Sequence, residues 1–289
     1  MTIATIDIGG TGIKFASLTP DGKILDKAST PTPETLEELL AWLDQRLSKR
    51  DYRGIAMSVP GAVHQETGVI EGISAISYIH GFSWYEALSH HKLPVHLEND
   101  ANCVGLSELL AHPEIENAAC VVIGTGIGGA MIINGKLHRG HHGLGGEFGY
   151  MTTIEPAERL NNWSQLASTG NMVRYVIEKS GQSDWDGRKV YQEAVAGNTL
   201  CQEAIDRMNR NLAQGLLNIQ YLIDPDVISL GGSISQNPDF IKGVQKAVDA
   251  FVDRYEEYTI APVIQACTYQ ADANLYGALV NWLQEENQW

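Results

Sequence analysis

The chain has 289 residues, 44% hydrophobic and 19% charged, which is enough for a large core divided into two lobes and typical of a globular protein. A formal net charge of −15 argues against nucleic acid or an anionic membrane as main partner, and no apolar run approaches the roughly 18 residues of a membrane span. Met1 runs straight into strand sequence, and Cys103, Cys120, Cys201 and Cys267 are scattered without a Cys-x-x-Cys pair. We therefore expect no signal peptide, no disulfide framework, no cysteine-built zinc site and a cytoplasmic location.

In chain order, Ala4 to Ile8 reads as an apolar strand. A glycine turn, Asp7-Ile8-Gly9-Gly10-Thr11-Gly12, follows and leads into a second strand, Ile13 to Leu18. Pro20-Asp21-Gly22 turns the chain into a third strand, Lys23 to Asp26. Thr32 as N-cap and Pro33 at the first helical position predict a helix, supported by Leu36, Leu39, Leu40, Leu43 and Leu47 at helical spacing. Gly54 to Val59 is a short buried strand ending at Pro60-Gly61. Pro94 to Leu97 is another, handing over at Glu98-Asn99-Asp100 to a helix from Ala101 to Ala111.

The second half repeats this opening. A strand from Ala119 to Ile123 leads into Gly124-Thr125-Gly126-Ile127-Gly128-Gly129, then a strand from Ala130, the Asn134-Gly135 hairpin turn and a short third strand. Helical patterns over Leu200 to Leu222 and Pro238 to Tyr255 alternate with strands over Asp226 to Leu230 and Pro262 to Cys267. A helix over Asp272 to Glu286 closes the chain. A three-strand unit followed by alternating helices and strands, occurring twice, predicts α/β lobes with mixed sheets. The expected lobes are residues 1–115, joined by the C-terminal helix 273–289, and residues 116–272, with the active site in the cleft between them.

Two glycine turns more than a hundred residues apart suggest one phosphate loop in each half, because glycine lets backbone N–H groups approach an anion closely. Gly124, Gly126 and Gly129 also fit a dinucleotide fingerprint. That fingerprint must open a helix, whereas Ala130 to Asn134 is apolar, β-branched and ends in a hairpin. No Walker lysine follows either loop. Asp7, beside a phosphate, calls for an intervening cation and reads either as a water-mediated Mg²⁺ ligand or as an Asp bonding turn amides.

Glu98-Asn99-Asp100 lies at a strand-to-helix junction. It is either a helix cap or a catalytic group in which Asp100, kept ionised by the helix N-terminus, takes a proton from a hydroxyl while Asn99 binds a neighbouring one. Glu147, between glycines, is suited to receive hydroxyls. His138, His141 and His142 belong to an exposed loop and complete no ligand set. Gly231-Gly232-Ser233 either passes close to a nucleotide or makes a tight turn.

Together these stretches resemble the ROK family of sugar kinases, within the actin and hexokinase ATPase superfamily. The matching residues are Asp7 to Lys14, Pro60-Gly61, Glu98 to Asn102, Ile123 to Gly129, Gly146 to Gly149, Asp224-Pro225, Leu230 to Gly232, Asp272 to Asn274 and Gly277-Ala278. The resemblance implies a two-lobed actin-like ATPase fold, ribonuclease H-like, with a duplicated βββαβαβα core. It also implies an ATP-dependent kinase acting on a hexose hydroxyl, O6 by expectation. Asp100 would be the general base, with Gly61, Asn99 and Glu147 binding the sugar. Asp7 would help hold Mg²⁺, and Gly9, Gly10, Thr11, Lys14, Thr125 and Gly126 would line the phosphates. Gly231 and Gly232 would pass near the adenosine, and a homodimer is left open.

Two departures bear on the acceptor. Tyr150 stands where most ROK kinases have a histidine. The stretch from Glu158 to Ser168 lacks the family's cysteines, and Ser164 falls near the family's sugar-binding glutamate, so Tyr150 and Ser164 are the candidate sugar-binding residues in place of that histidine and glutamate. Structural zinc is therefore not expected. The form Gly146-Glu147-Phe148-Gly149-Tyr150-Met151 is similar to that of β-glucoside kinases, so a disaccharide acceptor is an alternative to a free hexose, as is N-acetylmannosamine. A sugar-sensing regulator is the non-enzyme reading. The family's repressors carry an N-terminal DNA-binding domain, for which the six residues before Asp7 leave no room.

Overall fold

The computed structural model describes residues 2–72, 74–154 and 160–289, without the side chains of residues 153, 154 and 160. Glu158 and Arg159, part of the cysteine-free stretch, and Ile73 lie outside the described residues. The chain forms two compact units. Unit 1 comprises Met1–Glu114, Arg139–Gly145 and Ala271–Trp289, and unit 2 comprises Ile115–His138 and Gly146–Gln270.

Unit 1 is built on a five-stranded sheet. Strands β1 (Ile3–Ile8), β2 (Gly12–Leu18) and β3 (Ile24–Pro31) form an antiparallel meander. After α1 (Leu36–Leu47), β4 (Gly54–Val59) joins parallel to β1. A small hairpin, β5 (Ala62–His64) and β6 (Val69–Glu71), and the one-turn helix α2 (Trp84–Ala87) precede β7 (Val95–Asn99), which pairs parallel to β4. The sheet order is β3-β2-β1-β4-β7. Helix α3 (Asp100–Ala111) leaves the end of β7.

Alternation along β1 sorts its residues between two cores. Ala4, Ile6 and Ile8 pack with Leu39, Leu43 and Leu47 of α1, whereas Ile3 packs with Cys103 of α3 and Leu279 and Trp282 near the chain's end. Asp7 has the parity of Ile3 and Thr5, and so shares the second face.

Unit 2 repeats the plan. Strands β8 (Ala118–Ile123), β9 (Ile127–Ile133) and β10 (Lys136–Leu137) form the meander. Next come the pair β11 (Thr152–Ile154) and β12 (Leu160–Asn162), then helices α4 (Trp163–Ala167), α5 (Thr169–Ser180), α6 (Gly187–Val195) and α7 (Thr199–Ile223). Strand β13 (Val227–Gly231), helix α8 (Pro238–Val252) and strand β14 (Ile264–Ala266) complete the unit. The order β10-β9-β8-β13-β14, with β13 parallel to both neighbours, is the same arrangement as in unit 1. Its core gathers Val121 and Ile123 with Leu212, Leu216 and Ile219 of α7 and Trp163. The chain then returns to unit 1 as α9 (Ala273–Glu285).

Three local expectations change. Helix α1 begins at Leu36 with Thr35 as N-cap, its hydroxyl accepting from Glu38 N at 3.2 Å. Thr32 does not cap it, because its hydroxyl donates to Gly9 O at 2.6 Å and holds the first glycine turn. Strand β3 runs on to Pro31, beyond Asp26, because every residue from Ser17 to Gly12 finds a partner along it. Residues 139–145 pack with unit 1 although they interrupt the second half of the chain.

Candidate functional site

In unit 1 the tight β1–β2 hairpin sets Asp7 opposite Lys14. Asp7 is 5% exposed, and both carboxylate oxygens are engaged. Lys14 Nζ donates to Oδ2 at 3.0 Å and Asn274 Nδ2 to Oδ1 at 2.9 Å. Lys14 Nζ also donates to Ala271 O at 2.7 Å, which leaves one ammonium proton. The turn closes through Gly9 N to Gly12 O at 3.1 Å, with Gly10 and Thr11 exposed at its tip. A cavity of about 470 Å³ opens here, lined by Asp7, the Gly9–Thr11 turn, Lys14, Asn274 and Asp100.

Asp100 is the first residue of α3. Asn99 caps the helix, its Oδ1 accepting from Ala101 N at 2.9 Å and Asn102 N at 3.2 Å. Its Nδ2 donates to Gly61 O at 3.1 Å, leaving one amide proton. Gly61 has φ +106, and a Cβ there would meet Glu71 O at 2.7 Å, so glycine is required to bring this carbonyl to Asn99. The cap account of this junction thus holds for Asn99, while Asp100 lines the cavity with its Oδ1 also accepting from Ala101 N at 2.8 Å. Burial pushes the Asp100 carboxyl above the usual range; the Asp7 charge adds to this, and the Ala101 N–H and Asn99 oppose it.

Glu98 does something the sequence did not signal. It is 2% exposed, and Oε1 accepts from Asn99 N and Asn102 Nδ2, each at 2.8 Å. Oε2 accepts from Arg139 Nε at 2.7 Å. Glu98 is an anchor beneath the junction.

In unit 2 the second glycine turn closes through Gly124 N to Gly126 O at 2.9 Å, leaving Thr125 and Gly126 exposed. Gly170 N donates to Gly124 O at 3.1 Å, tying the turn to the start of α5. Ser164 Oγ accepts from Ile127 N at 2.9 Å and donates to Ile127 O at 3.2 Å. Its only proton is thereby spent on the loop's own backbone. The turn carrying Glu147 and Tyr150 crosses this pair so closely that a Cβ on Gly149 would overlap the Ile127 carbonyl. Tyr150 is 71% exposed and Glu147 partly buried.

Gly231 ends β13, and Gly232 follows with φ +89, where a Cβ would overlap the Ile123 carbonyl. Just beyond lies a cavity of about 590 Å³, lined by residues of α5 and α6 and by the Ser233–Gln236 turn with Asn237. Two buried polar atoms of lining residues, Thr169 Oγ1 and Tyr191 OH, have no partner among the described residues. Burial pushes the Tyr191 hydroxyl well above the ordinary phenol value. The sequence reading missed this cavity, since only the Asp186-Gly187 helix start hints at it.

Two sheets of one order, each with a glycine turn between its first two strands, define the duplicated fold of actin-like ATPases. The chain belongs to the ROK family, whose family model matches residues 3–285. It is 34% identical over 300 residues to a β-glucoside kinase of Listeria monocytogenes, covering 100% of this chain and 99% of the relative. It is 31% identical over 299 residues to a β-glucoside kinase of Klebsiella pneumoniae, covering 98% and 97%. A crystal structure of a ROK family protein from Streptococcus pneumoniae in complex with sucrose is 87% identical, with a TM-score of 0.98 over 100% of both chains.

Proposed function

We propose that the chain is an ATP-dependent sugar kinase that phosphorylates a primary hydroxyl of a glucosyl unit, with a glucoside as its acceptor. The observation that carries the kinase reading is Asp100, a carboxylate of raised pKa at the wall of a cavity also lined by the Asp7–Lys14 glycine turn. A base of higher pKa is a stronger proton acceptor while it stays ionised near neutrality. Asp100 takes the proton of the attacking hydroxyl, and the free N–H of Asn99 binds a neighbouring hydroxyl. The remaining chemistry of phosphoryl transfer is positioning and charge stabilisation. In unit 1 the Gly10 and Thr11 amides at the turn's tip are the donors for phosphate oxygens, with the third Lys14 proton adding charge; in unit 2 the Thr125 and Gly126 amides are the corresponding donors.

The donors around Asp7 suit a hydrated Mg²⁺. Asp7 is a carboxylate, and Asn274 Oδ1 is a buried acceptor with no partner among the described residues, so both can accept from metal-bound water. Mg²⁺, when bound, neutralises phosphate charge. The cavity beyond Gly232 supports an adenosine position, its Thr169 and Tyr191 hydroxyls being partners in search of a ligand.

For the acceptor, three facts support a glucoside. The relatives named above are β-glucoside kinases, the solved relative at 87% identity holds a disaccharide, and Ser164 presents no carboxylate and no free proton. Coupled ADP release measured over cellobiose, sucrose, glucose and mannose tests both layers. Turnover on none of them sinks the kinase reading, and a preference for free glucose sinks the glucoside reading.

A further inference from the structure

On the α1 side of unit 1, three side chains bring their donor atoms to one point. Asp44 lies on α1, and His90 and His91 are consecutive residues of the 3-10 turn Ser89–His91 that follows α2. His90 Nε2 is 3.0 Å and His91 Nε2 2.7 Å from the same atom, Asp44 Oδ1. The two rings sit 4.1 Å apart, and all three ligand atoms lie within 4.8 Å of one another. As a purely hydrogen-bonded cluster this is crowded, because both imidazoles must aim a proton at one oxygen.

We propose that Asp44, His90 and His91 form a binding site for a divalent transition-metal ion of the Zn²⁺ or Ni²⁺ type. Two imidazole nitrogens and a carboxylate oxygen are a donor set for these ions rather than for Mg²⁺ or Ca²⁺. Metal–ligand bonds of about 2.0–2.2 Å place tetrahedral ligands roughly 3.3–3.6 Å apart, so the two spacings to Asp44 Oδ1 need to open by about half an ångström, a side-chain adjustment. The His90 side chain is 56% exposed and that of Asp44 45%, so water can complete the shell, while His91 at 16% fixes the inner edge.

The site is distinct from the proposed kinase chemistry. Helix α1 packs on the Ala4–Ile6–Ile8 face of β1, whereas Asp7 has the opposite parity. The ion therefore acts as a clamp between α1 and the turn after α2. Its donors, two imidazoles and a carboxylate, also differ from the cysteines of the family's zinc loop, which residues 158–168 lack.

The test titrates the full-length protein with Zn²⁺ by calorimetry and with Co²⁺ by visible absorption, whose intensity reports tetrahedral coordination. The expected result is one site per chain, weakened at least about tenfold in His91→Ala and in Asp44→Asn. A His141→Ala/His142→Ala variant, altering the other adjacent histidine pair, retains it. Zn²⁺ should also raise the Tm of the wild type and not that of His90→Ala/His91→Ala. Circular dichroism of each variant confirms that it is folded. Equal Zn²⁺ affinity in wild type and the His90→Ala/His91→Ala variant, or a site lost instead with His141 and His142, overturns the proposal.

Discussion

Arg139 and Glu98 are 41 residues apart in sequence, and the guanidinium Nε of one donates to the carboxylate Oε2 of the other at 2.7 Å. The same guanidinium reaches Asn281 Oδ1 at 2.8 Å and Glu285 Oε1 at 3.0 Å. One side chain thereby ties the strand end that precedes Asp100 to the last helix. Removing it leaves the Glu98 charge buried and unpaired, since that side chain is 3% exposed. Arg139→Met should cost about 3–5 kcal/mol, read as a lower urea midpoint. Adding Glu98→Gln to that variant should recover part of the loss; no recovery would show that the charge is not the cause.

Asp100→Asn should separate activity from stability. Loss of a general base costs on the order of 10²–10⁴-fold in kcat, measured by coupled ADP release. The folded-state pKa lies above the unfolded one, so between the two values the folded chain holds more protons. Stability from this group therefore falls as pH rises through that window, and the full cost is present above the folded value. The Asn variant avoids this cost and should melt above the wild type on the alkaline side of that window and lose that advantage in acid. Wild-type turnover in this variant would remove Asp100 from the mechanism.

The pH–rate profile carries the same sign. The acidic limb of kcat/KM should have its midpoint above the ordinary aspartate value of about 3.9. Because the Asp7 charge is one cause of the upward shift, Asp7→Asn should move the limb of its residual activity to lower pH. An unmoved limb would mean that Asp7 does not act on Asp100 through charge.

Tyr191→Phe removes a buried hydroxyl that has no partner among the described residues. Without ligand the variant should be as stable as the wild type or more so, because an unsatisfied polar atom is gone. If adenosine uses that hydroxyl, ATP analogue affinity should fall by about 1 kcal/mol, or roughly fivefold, in calorimetry. Unchanged affinity would move the adenosine elsewhere.

Gly232→Ala places a side chain at φ +89 and against the Ile123 carbonyl. A loss of about 1–3 kcal/mol is expected, with a weaker nucleotide response in thermal melts. A neutral result would show that the turn relaxes freely.

What could be read from the sequence was mostly local. The glycine turns, their flanking strands and the Asn99 cap depend on neighbours a few residues away, and periodicity exposes them. The long helix α7 was legible for the same reason. Strands β5 and β6 were not, because three residues carry no readable alternation. Thr32-Pro33 imitates a helix start ahead of α1, but the Thr32 hydroxyl is recruited by Gly9 from another strand end. In the candidate site, the Asp7–Lys14 pair follows from hairpin register, but Asn274 reaches Asp7 across 267 residues. The Glu98–Arg139 anchor, the Ser164–Ile127 latch and the cavity at Tyr191 also arise from residues far apart in the chain.

Helix α9 supplies Asn274 beside Asp7, Asn281 and Glu285 to Arg139, and Trp282 to the core under β1 and β4. All of these are made after residue 270, when every segment of unit 2 has already been synthesised. On the ribosome, order of birth and order of completion are therefore reversed. The half begun first waits for the final helix, and until then Asp7 lacks the Asn274 amide, and Arg139 lacks Asn281 and Glu285. A nascent or C-terminally clipped chain that lacks this helix thus has its first glycine turn drawn but not braced, because Asn274, on the first turn of α9, is what closes on Asp7.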